Sequence, residues 1–131
     1  MTFAEYQVDA RRTQNPDLRW WQMKEHALYG LASEVGEVLG LHQKEHQGHV
    51  MDDTALRLEI GDCLWFLAEI CDVYGFDLGD VAKDNIAKLR ARYPDRFEVE
   101  RSVNRAEYRA KARPKREAVR SRYYAKVVKG E

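Results

Sequence analysis

From Trp20 to Tyr93 the apolar residues recur at steps of three and four, and no other feature of the sequence restricts the fold as much. Leu28, Leu31, Val35, Val38 and Leu41 mark one stripe. A second runs through Leu56, Ile60, Leu64, Leu67, Cys71 and Tyr74, and a third through Leu78, Ala82, Ile86, Leu89 and Tyr93. Alternation with a period of two never persists between turn residues, so strands are not expected. The punctuation agrees with helices. Asn15-Pro16-Asp17 ends a short first helix that starts near Phe3, Gly48 stops a second that starts near Trp20, and Asp52 or Asp53 caps a third that Gly75 closes. Asp77 caps a fourth, and Pro94 prevents its continuation. The expected fold is all-α: an antiparallel helical bundle with short connections, each stripe turned to a shared core.

A chain of 131 residues holds one such core. Its net charge of zero hides an uneven split. Residues 1–97 carry 17 acidic against 11 basic side chains, whereas residues 98–131 carry 5 against 11. This predicts an acidic helical body over 1–97 and a basic, partly helical extension over 98–131. No run of apolar residues is long enough to cross a bilayer, and the first residues have no secretory pattern, so a cytoplasmic protein without membrane contact is expected. Cys63 and Cys71, eight residues apart in one helix, lie about 12 Å apart at 1.5 Å per residue. That is too far for a disulfide, and two reduced core thiols are expected.

Two short segments carry the chemistry. Glu34-Val35-Gly36-Glu37 lies in the second helix and Glu59-Ile60-Gly61-Asp62 in the third. Spacing of i and i+3 puts both carboxylates of each pair on one helical face, beside the apolar stripe. If the two helices pack antiparallel, four negative charges converge and repel unless a cation sits among them. Oxygen-only ligation favours a hard ion, Mg²⁺ or Mn²⁺. Gly36 and Gly61, each costly in a helix interior, predict close backbone approach or a tight site at the pairs. A di-iron bundle would require Glu-x-x-His on two helices, and no histidine here follows a glutamate at that spacing. Further along, Asn85, Lys88 and Arg92 share one polar face of the fourth helix. Its two cations suit a phosphate chain, and the amide suits a sugar hydroxyl or base edge.

Taken in order, Gly30-Leu31-Ala32-Ser33-Glu34-Val35-Gly36-Glu37, Glu59-Ile60-Gly61-Asp62-Cys63-Leu64-Trp65-Phe66-Leu67 and Asn85-Ile86-Ala87-Lys88-Leu89-Arg90-Ala91-Arg92-Tyr93-Pro94 resemble the MazG-type family of all-α nucleoside triphosphate pyrophosphohydrolases. The resemblance covers about residues 3–97. It implies Mg²⁺-dependent conversion of an NTP or dNTP to the monophosphate and pyrophosphate, in a homodimer or homotetramer. It also implies that Glu34, Glu37, Glu59 and Asp62 hold the metal, one of them also orienting or deprotonating the attacking water, while Lys88 and Arg92, with Lys44, neutralise phosphate charge. Two alternatives stay open: narrow specificity for dUTP or dCTP, and a non-catalytic bundle that binds a nucleotide or a protein through the same acidic groove.

Trp65, one turn after Asp62, is placed to flank a bound nucleotide, although core filling is the commoner role of such a residue. Trp20 and Trp21, about 100° apart on a helix, cannot both point inward, so one is available to a base. Tyr6 and Gln7 are weaker candidates of the same kind. His42, His46 and His49 have a spacing that can bind zinc, but they lie at the end of a helix without a fixed acidic partner, and exposure is expected. The basic extension lacks a stacking platform, and Glu107 and Glu117 interrupt it, so nucleic acid is not an expected partner.

Overall fold

The computed structural model describes residues 1–103. Among them every regular element is a helix: α1 (Phe3–Arg11), α2 (Trp20–His46), α3 (Asp53–Tyr74), α4 (Leu78–Arg92) and α5 (Val99–Val103). No strand occurs among the described residues. The expectations for residues 104–131, including the helical reading around Val119, Tyr123, Tyr124 and Val127, lie outside the described residues.

Local chemistry sets the boundaries. Thr2 Oγ1 accepts from the Glu5 amide at 3.2 Å and Glu5 Oε2 accepts from the Thr2 amide at 2.6 Å, a reciprocal cap on α1. Asp52 Oδ1 accepts from the Thr54 and Ala55 amides, both at 3.0 Å, and so starts α3. Asp77 Oδ1 does the same for α4 through the Asp80 amide at 2.9 Å. Gly48 and Gly75, with φ of 93° and 70°, follow the ends of α2 and α3 in the left-handed region that glycine enters at least cost.

The chain divides into two compact units, Met1–Val73 and Tyr74–Glu131. In the first, α2 and α3 run antiparallel. Trp20 Nε1 donates to the Val73 carbonyl at 3.1 Å, and His26 meets Glu69. A Cβ on Gly30 would overlap the Phe66 ring, and Glu34 meets Glu59 and Asp62. Numbers that rise along α2 thus meet numbers that fall along α3.

The short helix α1 is fastened to α3 by Asp72. That carboxylate accepts from Gln7 Nε2 at 2.8 Å, Gln14 Nε2 at 3.0 Å, and Arg11 through Nε at 3.1 Å and Nη2 at 2.5 Å. In the second unit, Leu78 at the start of α4 is buried, Tyr74 stacks on Phe76 with centroids 6.1 Å apart, and Tyr93 packs on Phe97 at 5.2 Å.

Two expectations need correction. The apolar stripes are helical but are not all core: Leu28, Val35, Ile60, Leu67, Ile86 and Leu89 are exposed, and among the described residues the buried apolar ones are Ala10, Ala27, Ala68, Cys71, Val73 and Leu78. Periodicity shows which residues share a face, not whether one chain covers that face. Gly36 and Gly61 have open space where a Cβ would stand, so neither marks a close approach. The tight position is Gly30, where the Phe66 ring takes the place of a side chain.

Candidate metal and nucleotide site

The antiparallel register of α2 and α3 decides which acids meet. Glu34, Glu59 and Asp62 each bring one carboxylate oxygen within 4.8 Å of the others. Glu34 and Glu59 are half-buried, and Asp62 is exposed. Glu37, one turn beyond Glu34, is exposed and outside this triad, although its charge still acts on Glu34. Burial first, and then the charges of Asp62, Glu59 and Glu37, hold the Glu34 carboxyl above its ordinary range. Among the described residues no basic side chain forms an ion pair with these four acids.

Three converging carboxylate oxygens without a basic partner fit a hard divalent cation, and the exposed Asp62 leaves one side open to further oxygen ligands. A soft metal fits less well. Burial and the same three charges push the Cys63 thiol up, leaving it protonated beside the triad. Tyr6, on α1, is raised by burial and by Asp62, which places a neutral hydroxyl within electrostatic reach of the cluster. The Asp72 clamp holds α1 there.

The neighbouring aromatics have fixed orientations. Trp65 donates its indole N–H to Thr13 Oγ1 at 2.8 Å and meets Phe66 edge-on, at 4.9 Å and 87°. Trp20 is tied to the far end of α3 through Val73, with Lys24 Nζ 5.8 Å from its ring centroid. The structure does not bring Trp20 to the triad, since 14 residues of helix separate it from Glu34, about 21 Å along the axis. Trp21 is exposed near that same end, and Lys44 is exposed near the opposite end of α2. Asn85, Lys88 and Arg92 belong to α4 in the second unit, where Asn85 is exposed and both cations are half-buried.

His42, His46 and His49 are exposed, with His42 Nδ1 3.4 Å from Glu45 Oε2. They form no metal-capable group among the described residues. Cys63 and Cys71 are not joined in a disulfide, as their spacing required. Sequence reasoning missed His26, Glu69 and Asp72. Only the regular steps Asp62, Phe66, Glu69, Val73 along α3 hinted that a second face of that helix is occupied.

Among the described residues, no helix is long and apolar enough to cross a membrane. Comparison with curated proteins returned no match, and neither did comparison with solved structures. Residues 22–97, more than half of the chain, match the MazG nucleotide pyrophosphohydrolase domain. That segment contains the whole carboxylate triad. The chain belongs to the MazG nucleotide pyrophosphohydrolase family, an all-α family of hydrolases.

Proposed function

We propose that this chain is a Mg²⁺-dependent pyrophosphohydrolase that cleaves an NTP or dNTP to the monophosphate and pyrophosphate, with Mn²⁺ able to replace Mg²⁺. The observation that carries this reading is the convergence of Glu34, Glu59 and Asp62 oxygens from two antiparallel helices inside the family segment. Glu34, Glu59 and Asp62 would hold the cation, and Glu37, one turn away, would join them or orient the attacking water. A bound divalent ion supplies a water of lowered pKa and neutralises charge on phosphate oxygens. The half-buried setting of Glu34 and Glu59 limits their side-chain freedom, which would reduce the reorganisation needed when the triphosphate arrives.

Lys88, Arg92 and Lys44 are assigned to the phosphate chain. Asn85 and Trp65 are assigned to sugar and base, whereas Trp20, about 21 Å along the axis from Glu34, and Trp21 next to it are not. For Trp65 the support is its position one turn after Asp62, and for the rest it is residue chemistry alone. Residues 1–97 are the proposed catalytic domain and 98–131 a basic extension. Exposed Leu28, Val35 and Leu39 on α2, with Leu58 and Ile60 on α3, favour a homodimer or homotetramer. Two cysteines outside any disulfide suit a cytoplasmic setting.

The test is hydrolysis of each NTP and dNTP with Mg²⁺, with both products identified. Monophosphate and pyrophosphate in equal amounts are expected, with at least a hundredfold loss in Glu59→Gln. Orthophosphate as the only inorganic product, or equal rates for Glu59→Gln, contradicts the assignment. Turnover confined to dUTP or dCTP would narrow it, and binding without turnover would favour a nucleotide-binding module.

A further inference from the structure

His26 and Glu69 lie on the same α2–α3 seam as the triad, yet the proposed chemistry leaves them unused. Glu69 is 1% exposed among apolar neighbours that include Ala68, Cys71 and Val73. Its Oε2 lies 2.9 Å from His26 Nδ1, and its buried Oε1 has no hydrogen-bond partner. A carboxyl group in such surroundings lowers stability relative to a small apolar residue. What it gains is control of the imidazole. An ionised Glu69 accepts from Nδ1–H, which sets the tautomer and leaves Nε2 to meet a ligand. The His26 side chain is 47% exposed, and its ring is braced by Phe66 at 5.5 Å and by Trp65, edge-on at 6.2 Å and 85°.

The position of this pair points to its ligand. His26 precedes Glu34 by eight residues of α2, about 12 Å along the axis, and Gly30 and Phe66 close the interval between them. Asp62, Trp65 and Glu69 follow at i, i+3 and i+7 on one face of α3. A row of side chains along the α2–α3 seam therefore leads from the carboxylates past Trp65 and Phe66 to the imidazole. Resting on the pyrophosphohydrolase reading, we propose that His26, oriented by the buried Glu69, contacts the nucleoside half of the substrate while the phosphates occupy the carboxylate end. Nε2 exchanges a hydrogen bond with a base edge or sugar hydroxyl, groups that inorganic polyphosphate lacks. The flanking rings offer the stacking surface that a base requires. Glu69 is a positioning residue, and His26 makes the contact.

Histidine-detected NMR on the full chain with ¹⁵N-labelled imidazoles tests this, the His26 signals being those missing from His26→Gln. With Mg²⁺, α,β-methylene nucleotide analogues are expected to shift His26 Nε2, whereas inorganic triphosphate is not. His26→Gln should weaken analogue binding about tenfold, as expected for one lost hydrogen bond, and leave inorganic triphosphate binding unchanged. Glu69→Gln should weaken the analogue less and change the His26 tautomer signature. An unmoved His26 signal while calorimetry shows the analogue bound overturns the proposal, as does an equal response to triphosphate. Failure of every analogue to bind overturns the pyrophosphohydrolase reading itself, and this proposal with it.

Discussion

The Glu34 carboxyl sits above the ordinary carboxylate range because burial and the charges of Asp62, Glu59 and Glu37 all disfavour its ionised form. Folded protein therefore binds this proton more readily than unfolded chain, and stability falls as pH rises from the ordinary range through the raised one. In EDTA, melting temperature should decline across that window, and Glu34→Gln should flatten the decline. Added Mg²⁺ should reverse the sign, because the ion binds the deprotonated site and stabilises the folded state more as pH increases. A wild-type melting curve indifferent to pH in EDTA would contradict this electrostatic account. At this scale the meeting of Glu34, Glu59 and Asp62 was legible, because an i, i+3 pair beside an apolar stripe faces the matching pair on the next helix, whereas Glu37 stands outside the group. His26 and Glu69 were not legible. Glu69 lies off the apolar stripe of α3 and is buried because the last turns of that helix are enclosed on more than one side, as Ala68, Cys71 and Val73 also show.

Among the elements, caps and stops carried most of the information. Asp52, Asp77, Gly48 and Gly75 were readable because each solves a local hydrogen-bonding or backbone problem that no distant residue alters. Packing between helices was less readable. Gly36 and Gly61 looked like contact points but face open space, while Gly30, in an unremarkable apolar run, holds the register of α2 against Phe66. Gly30→Ala is expected to lose about 1–3 kcal/mol through overpacking, with part of it restored in Gly30→Ala/Phe66→Leu. Urea unfolding of the single and double variants measures this, and an unchanged midpoint in the single variant would refute the packing claim. The docking of α1 was equally hidden, since nothing near Asp72 in sequence announces that Gln7, Arg11 and Gln14 converge on it.

For the molecule as a whole, the apolar stripes that predicted a bundle also predicted more burial than one chain provides. Val35 and Ile60, both on the stripes, are 45% and 54% exposed, and off the stripes Leu39 and Leu58 reach 63% and 65%. Sequence periodicity could not separate a face covered by the same chain from one covered by a second copy, because the residues required are the same. Sedimentation should show a homo-oligomer, and Leu39→Glu should shift it toward monomer; a wild-type monomer at micromolar concentration would count against assembly. The split between an acidic body and a basic extension was plain from composition, but composition alone assigns the extension no role. The claim on which the functional account turns is that three side chains from two helices share one divalent ion. Electron paramagnetic resonance of Mn²⁺ titrated into the full chain tests it most directly. The account predicts a bound ion in the wild type and its loss in Glu34→Gln, Glu59→Gln and Asp62→Asn alike, whereas Mn²⁺ binding that survives all three substitutions unchanged would contradict it.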